Sequence, residues 1–427
     1  MFLSMKEKST NRVNRKAYRF IAVMLAAVLM LACAACSSDT GGGNGNSNTP
    51  NSAATNSPGN NVSESQSSDS PKKTGGAAVQ ASDIVVVAEI AEELELSHFR
   101  AGAEATASFS EGLCLIYSDH GHKYGFIDTK GDLVVPMEYD YATAFSEGLA
   151  AVKIDNSDAR PYTQERNEWG YIDASGNLVI PMGYNRAKPF SEGLAAIMKE
   201  SQWGYIDRNG DTVIPSQYDD ANNFSEGLAA VKKDDKWGFV DASGNPVIPL
   251  QYDTVQNFSE GLAAVKKDGK WGFIDISGNI AISFLYDKAY IFNEGLAAIE
   301  IDEKFGFIDP DGNIVIEPQY SNTATFDYFF SEGLALVVYE KTGTYIDKNG
   351  NIVKKLPGSY EIGYSFSNGL SKVSSAGQSE FINTDGEFVF PVDGYKSFSA
   401  FSFSEGYALC HIDDKWCILQ NTAYKAD

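Results

Sequence analysis

One phrase recurs through most of this chain and limits the folds that it can adopt. FSEGLAAVKKDDKWGFVDASGNPVIPLQYDTVQN spans residues 224–257, and FSEGLAAVKKDGKWGFIDISGNIAI begins at residue 258. The Phe-Ser-Glu-Gly element or a close variant occurs nine times, most often 34 residues apart. Its copies start at Phe109, Phe145, Phe190, Phe224, Phe258, Phe292, Phe330, Phe366 and Phe403. Such a unit cannot bury both of its faces alone, so neighbouring units must stack on one another.

Each repeat has the composition of several short β-strands joined by tight turns. GLAAVKK is apolar with β character, and KWGFVD alternates between two faces, as a half-buried strand does. DDK forms a tight turn between them, and DASGN forms a second turn in which Gly244 supplies positive φ. PVIP is a third short strand ended by Pro249, and YDTVQNF is a fourth, irregular strand. The repeat therefore predicts a small antiparallel meander of three or four strands.

The aromatic positions of the repeat carry a family resemblance. All five tryptophans occupy one slot, followed in most copies by Gly, an aromatic residue, Ile or Val, and Asp. They are Trp169, Trp203, Trp237, Trp271 and Trp416. From residue 109 to about 420 the chain resembles the WG repeat, or KWG repeat, family of bacterial proteins; repeats seven and eight, with GTYID and SEFIN, depart from its pattern. The resemblance implies a bacterial envelope or secreted protein and brings no catalytic residues to this chain.

The predicted fold class is all-β, with about eight to nine short antiparallel meanders across residues 83–427. The last copy stops after about half a unit, and DIVVVAEI before the first copy could supply its missing strands. Closure by strands from both ends protects sheet edges, so we expect a closed β-propeller. Nine units exceed the usual four to eight blades, and an open β-solenoid is the alternative.

The repeated polar and aromatic residues are expected to serve structure. Trp237 should pack in the core, and Gly238 should offer bare backbone for a ring from the next unit to cover. The Gly of Ser-Glu-Gly should need positive φ, and its Ser or Glu should cap local backbone. The alternative for the aligned glutamates is an acidic ring that binds cations.

The first 82 residues are expected to address and tether the protein. Basic residues precede a short apolar run from Phe20 to Ala32, as in a secretory signal peptide over residues 1–36. LACAACSSD resembles the lipobox of bacterial lipoproteins, which implies lipid attachment at Cys36, with Cys33 as the rival. Residues 37–82 are rich in Ser, Asn and Gly and should form a disordered tether. We therefore expect a lipid-anchored protein outside the cytoplasmic membrane of a bacterial cell envelope.

Charge and motifs narrow the function classes. The net charge of −23 repels nucleic acid, and no sequence motif of a nucleotide-binding, hydrolase or metalloprotease site is present. His120 and His122 are of a type that ligates metals, but a pair alone is a weak signal, and a polar hairpin turn is the favoured interpretation. No cofactor, metal or catalytic residue is therefore predicted. Cys410 and Cys417 should face one another across a hairpin, where a disulfide is an option, and Cys114 should be buried.

Irregular segments are where a repeat protein tends to carry its specificity. Repeat two has an insertion of about eleven residues that contains Arg160, Tyr162 and Arg166, and repeat six expands around Phe326 and Tyr328. We interpret these five residues as candidate partner contacts. The predicted function is a binding module for an envelope or extracellular protein, a glycan or a wall component. A passive scaffold or spacer is the alternative, and an enzyme is a weaker one.

Overall fold

A computed structural model describes most of the chain after residue 77. It covers residues 78–96, 107–118, 121–155, 167–321, 329–357, 362–375, 378–390 and 395–425. These residues form 35 strands and two short 3-10 helices, Ala81–Asp83 and Glu92–Leu94. None of the helices in this part of the chain has the length and apolarity needed to cross a bilayer. The all-β prediction is confirmed.

The strands form eight sheets, one of which has seven strands and joins units six and seven through the single pair Ser321–Val338. They divide into nine consecutive units, each an antiparallel meander of three or four strands. One strand, β1 (Ile84–Glu89), precedes the first unit. Units one to three comprise β2 (Phe109–Ser110), β3 (Leu113–Ser118), β4 (Lys123–Asp128), β5 (Leu133–Tyr139); β6 (Tyr141–Ala142), β7 (Leu149–Asp155), β8 (Asn167–Asp173), β9 (Leu178–Tyr184); β10 (Arg186–Ala187), β11 (Leu194–Lys199), β12 (Gln202–Asp207) and β13 (Thr212–Tyr218).

Units four to six repeat this arrangement with nearly the same strand lengths. They comprise β14 (Asp220–Ser225), β15 (Leu228–Lys233), β16 (Lys236–Asp241), β17 (Pro246–Tyr252); β18 (Thr254–Val255), β19 (Leu262–Lys267), β20 (Lys270–Asp275), β21 (Ile280–Tyr286); β22 (Lys288–Asn293), β23 (Leu296–Ile301), β24 (Lys304–Ile308) and β25 (Ile314–Ser321).

Units seven to nine are less regular. They comprise β26 (Leu334–Tyr339), β27 (Thr342–Asp347), β28 (Ile352–Lys355); β29 (Ile362–Gly363), β30 (Leu370–Ser375), β31 (Gln378–Asn383), β32 (Phe388–Phe390); β33 (Phe398–Ala400), β34 (Tyr407–Ile412) and β35 (Lys415–Asn421). The irregular strand that ends each sequence repeat was predicted as the fourth strand of its own unit. In the structure it is instead the first, inner strand of the next sheet.

The hydrophobic core lies between units. Nine apolar clusters occupy the nine interfaces, including the one between unit nine and unit one. In eight of them the Phe of Phe-Ser-Glu-Gly packs on an aromatic ring of the third strand in the preceding unit. The pair Phe273 and Phe292 is typical, with both rings buried and their centroids 5.0 Å apart. This position is apolar in every copy because each unit completes the core of its neighbour.

The ring closes through both ends of the chain. β1 pairs antiparallel with β35 and completes the four-stranded sheet β33–β34–β35–β1 of unit nine. The Ser404 hydroxyl donates to the Phe109 carbonyl at 2.7 Å, so unit nine bonds to unit one as unit three bonds to unit four. The closed β-propeller is therefore confirmed, with nine units in the ring.

The Ser-Glu-Gly turns bond to the next unit, not to local backbone as expected. Glu192 accepts from the amides of Glu226 and Gly227 at 2.7 and 2.9 Å, and Glu405 accepts from Glu111 and Gly112 across the closure. All nine units make this contact, with Asn368 in place of Glu in unit eight. A repeated carboxylate that accepts amide donors from its neighbour explains the repeat without a bound cation.

The Gly of the Trp-Gly pair has a different role from the one predicted. The outer strand of its own unit bulges against Gly238 on the side where a Cβ would lie. Trp237 pairs with Tyr252 while Phe239 pairs with Ile248, so the outer strand has extra residues opposite Gly238. A Cβ at this position would lie 2.5 Å from the Ile248 carbonyl oxygen. Gly is required because backbone occupies the space of a side chain.

The three cysteines of the ring lie where the sequence analysis predicted. Cys410 lies directly opposite Cys417 in the β34–β35 ladder, and both are buried free thiols in the structure. Disulfide formation between them stays a prediction. Cys114 is buried, and its burial raises the pKa of the thiol.

Candidate variable-face site

The two faces of the ring differ in regularity. One face carries the Ser-Glu-Gly turns and the Asp-x-x-Gly turns that precede each outer strand; we call it the repeat face. The other carries the turns between the second and third strands and the connections between units; we call it the variable face. Most turns of the second kind have two central residues with positive φ, such as Asp234 and Asp235. This geometry matches the tight hairpin turn that the sequence predicted.

The repeat face is held by the same contacts in successive units. At the turn before β17, the Asp241 carboxylate accepts from the amides of Ser243 and Asn245 and from the Asn245 side chain. These bonds, with the Asn245 side chain first, lower the pKa of Asp241 below its ordinary value. Gly244 has φ of 82°, as predicted. Such uniform turns give one unit no chemistry that its neighbours lack.

Irregularity is concentrated on the variable face. The insertion of unit two joins β7 to β8, so it leaves from Asp155 and returns at Asn167 on this face. The expanded segment of unit six leaves β25 at Ser321 on this face, whereas the strand that follows it, β26, begins on the repeat face after its Ser-Glu-Gly turn. Cys36, Arg160, Tyr162, Arg166, Phe326 and Tyr328 lie outside the described residues. The structure therefore describes the strands that flank the two candidate loops, and the five candidate contacts stay a prediction.

A row of aromatic rings lies on the variable face of units one and two and includes a residue of β8, the strand that follows the insertion. It consists of Tyr117 on β3, Tyr124 on β4, Tyr141 on β6 and Trp169 on β8, and we call it the aromatic row. Successive ring centroids are 4.7, 5.3 and 5.3 Å apart, so the four side chains form one continuous surface across units one and two. Tyr141 is 43% exposed, and the other three are half-buried. The row offers a large amphipathic surface whose central ring is accessible to a partner.

Polar groups hold the aromatic row at both sides. The Tyr117 hydroxyl forms a hydrogen bond of 2.8 Å with Nδ1 of His122. Lys123 Nζ lies 2.8 Å from an Asp140 carboxylate oxygen, and the other oxygen of Asp140 accepts from the Asp155 amide at 2.6 Å. These contacts fix the turn of unit one and the start of the insertion. Burial, with the neighbouring tyrosines, raises the pKa of Tyr124, so its phenol stays protonated at neutral pH.

The aromatic row is absent from the regular units. The position of Tyr117 is Lys232 in unit four and Lys266 in unit five, each opposite the Trp of its unit. The position of Tyr141 is Arg186 in unit three and Thr254 in unit five. In units four and five the Trp therefore faces a Lys on the second strand, whereas Trp169 of unit two and Tyr124, in the Trp slot of unit one, both contact Tyr141.

The row brings together residues that the sequence analysis did not single out. The sequence signal for them was a Tyr, Tyr117, where units four and five have Lys, and a second Tyr, Tyr141, where units three and five have Arg and Thr. His122 lies in the turn and bonds to Tyr117, whereas His120 lies outside the described residues. Among the residues that the structure describes, no group of three or more His, Cys, Asp or Glu side chains is arranged to hold a metal ion.

A comparison with protein families matches most of the ring. The WG containing repeat matches residues 124–157, 169–202, 203–237, 237–271, 271–305, 305–341 and 381–416, which together exceed half of the chain. The chain belongs to the WG containing repeat family. Each matched WG repeat runs from the third strand of one unit to the second strand of the next, so the matches cross the unit boundaries. The family resemblance inferred from the sequence is confirmed.

Solved structures that resemble this WG repeat protein have low sequence identity to it. A eukaryotic initiation factor has a TM-score of 0.50 at 12% identity, covering 74% of this chain and 89% of that chain. BamB from Moraxella catarrhalis has a TM-score of 0.40 at 10% identity, covering 78% and 99%. Kluyveromyces lactis Hsv2p has a TM-score of 0.37 at 11% identity, covering 57% and 93%. The likeness to the initiation factor bears on the fold alone. No curated protein matches the chain.

Proposed function

We propose that this WG repeat protein is a recognition module of a bacterial cell envelope that binds a partner protein through the variable face of units one and two. The observation that carries the proposal is the aromatic row, which includes Trp169 on the strand that follows the insertion. Tyrosine and tryptophan are enriched among residues that dominate binding energy, because they bury a large surface and keep a polar group available. Arg160 and Arg166 of the insertion would add planar donors next to the rings.

The repeated construction supports recognition over catalysis. An active site gathers a few unlike groups in one place, whereas most units here present nearly identical side chains. Units one and two depart from this uniformity with aromatic rings and an insertion, which suit contact with a surface. A passive scaffold or spacer is the second candidate, since units three to five repeat one construction without such a feature.

The binding site is tested by returning two positions to the residues that other units carry. Tyr117→Lys with Tyr141→Thr should preserve the ring, because Lys232 and Thr254 occupy the same positions in units four and five. The double variant should lose at least about tenfold in affinity for partners captured from envelope extract by the parent protein. Quantitative mass spectrometry of the captured proteins measures the difference. A glycan array, probed with the same two proteins, detects a carbohydrate ligand instead.

A matched control is Arg186→Thr, which changes the position of Tyr141 in unit three and should leave capture unchanged. Deletion of residues 156–166 removes the insertion and keeps all four residues of the aromatic row, so it shows whether capture also depends on the insertion. Equal capture of every partner by the parent and the double variant would remove the row from the proposal. Absence of any protein or glycan ligand in these experiments would favour the scaffold.

The envelope location rests on the N-terminal sequence. We propose that Cys36 becomes the lipidated first residue of the mature protein and that residues 37–82 tether the ring to the membrane surface. Mass spectrometry of the mature protein should find a lipid-modified N-terminus at Cys36, and Cys36→Ala should abolish that modification while Cys33→Ala retains it. An unmodified N-terminus beyond residue 36 would contradict the anchor without bearing on the aromatic row.

A further inference from the structure

The outermost strand of each unit lies at the rim of the ring. Among the described residues its outer edge is unpaired, except for the single pair Ser321–Val338 between β25 and β26. Units one to four place a proline at the centre of this strand: Pro136, Pro181, Pro215 and Pro249. Proline has no amide hydrogen to donate to an added strand, so it blocks edge-to-edge pairing. In unit six the rim carries Glu317 and Pro318, and in unit seven it carries Lys354 and Lys355. Charge and proline therefore protect most of the rim.

Unit five lacks this protection. Its outer strand β21 has Ser283 where units one to four have proline, and it pairs only with β20. No charged residue occurs between Ile276 and Tyr286. Leu285 and Ile280, at 64% and 60% exposure, are the two most exposed large apolar side chains of the described residues. A strand with free backbone groups, no charge and exposed apolar side chains is a template for strand addition.

We propose that the outer edge of β21 is a dimer interface, at which β21 pairs antiparallel with β21 of a second copy of this chain. Twofold pairing of one edge with itself is self-complementary and closes after two subunits. Two chains of net charge −23 repel one another, and like charges opposite each other destabilise a strand pair. The uncharged edge is where two such copies can meet without placing charges across the new ladder.

Two other outer strands without proline, β1 and β32, do not offer the same surface. β1 includes the charged Glu89, and its exposed valines are only 37–45% exposed. β32 has three residues, too few for a long ladder. Pairing β1 with β21 of another copy would be heterologous and would produce open chains of subunits. In the proposed dimer, two four-stranded sheets become one sheet of eight strands. Since β21 runs from the repeat face to the variable face, antiparallel pairing points the variable faces of the two copies in opposite directions.

Sedimentation velocity over a concentration series tests this interface on the chain from residue 37 onward, which keeps the complete ring. The parent should form a concentration-dependent dimer. Ser283→Pro should raise the dimer dissociation constant by at least about tenfold, because proline removes a donor from the new ladder. Its ring should fold normally, since units one to four carry proline at this position. Leu285→Lys should weaken the dimer as well, by placing like charges at the edge.

Pro249→Ser is the matched control in unit four. It should leave the β21 dimer intact and, by exposing a second edge, permit larger assemblies. A parent protein that is monomeric throughout the series would overturn the proposal, and so would a Ser283→Pro variant that dimerises as the parent does. Open-ended assembly of the parent would identify β1 as the occupant instead. The aromatic row is unchanged in all these variants, so their outcome is independent of the proposed recognition function.

Discussion

Removal of residues 83–93 is expected to destabilise the whole ring, because it takes away the strand that closes it. The deletion eliminates β1, which pairs with β35 along its length, and the buried side chains Ile84 and Ile90. Each such side chain contributes about 1.5–3 kcal/mol by its burial. The deletion also exposes the apolar clusters on both sides of unit nine. We expect the melting temperature to fall by about 10 °C or more, in a single transition measured by calorimetry.

The control for this deletion is the removal of residues 37–77, which precede the described ring. That truncation should melt like the parent protein. A deletion of residues 83–93 that loses only local structure and retains the parent melting temperature would contradict a closed ring. In an open solenoid, the loss of a terminal strand affects chiefly its nearest neighbour, because stability is a sum over units and interfaces. In a closed ring the first and last units pack on each other, so the loss of the closing strand lowers the stability of all units.

The repeat pattern was sufficient to predict the meanders, their turns and the closure of the ring. Alternating residues define strands, Gly244 marks a turn with positive φ, and half a unit at the end requires a strand from elsewhere. These features follow from local periodicity and from the need to cover sheet edges. The unit boundary was misplaced: YDTVQNF was predicted as the fourth strand of its own unit, whereas its residues Thr254–Val255 form the first strand of the next sheet.

Contacts between units were not recoverable from the pattern. Glu192 bonds to amides 34 and 35 residues later, and a repeat places identical candidates within its own unit and in the next. Sequence identity between copies removes the information that would distinguish the two. The role of Gly238 was misjudged for a related reason: its neighbour is a bulge in its own unit, and the bulge depends on the register of pairing.

Exceptions to the repeat carried the information that the repeat itself could not. Tyr141 and Ser283 each stand where several other units agree on a different residue or chemistry. Neither position is unusual when one copy is considered alone. Comparison of structurally equivalent positions identifies Tyr141 as part of an aromatic surface and Ser283 as a gap in the protection of the rim.

The Gly of the Trp-Gly pair is the glycine at which an added methyl group should lower the free energy of unfolding most. Backbone atoms of the outer strand surround the place that a Cβ would take at Gly238: the Ile248 oxygen at 2.5 Å, the Leu250 nitrogen at 2.8 Å and the Pro249 carbonyl carbon at 2.8 Å. Flexible side chains can move away from a new methyl group, but these atoms belong to a paired strand. Relief would require the bulge to shift, with loss of the pairing that holds the rim.

Gly238→Ala is therefore expected to lower the free energy of unfolding by about 3 kcal/mol or more, as measured by urea denaturation. Two other glycines separate this steric effect from backbone strain. Gly227 has φ of 80° but open space around a Cβ, so Gly227→Ala should cost only about 1–2 kcal/mol. Gly183 has neither constraint, and Gly183→Ala should change stability by less than about 0.5 kcal/mol. A Gly238→Ala variant as stable as Gly183→Ala would show that the outer strand can leave the third strand freely, and would refute the bulge as the reason for Gly in the repeat.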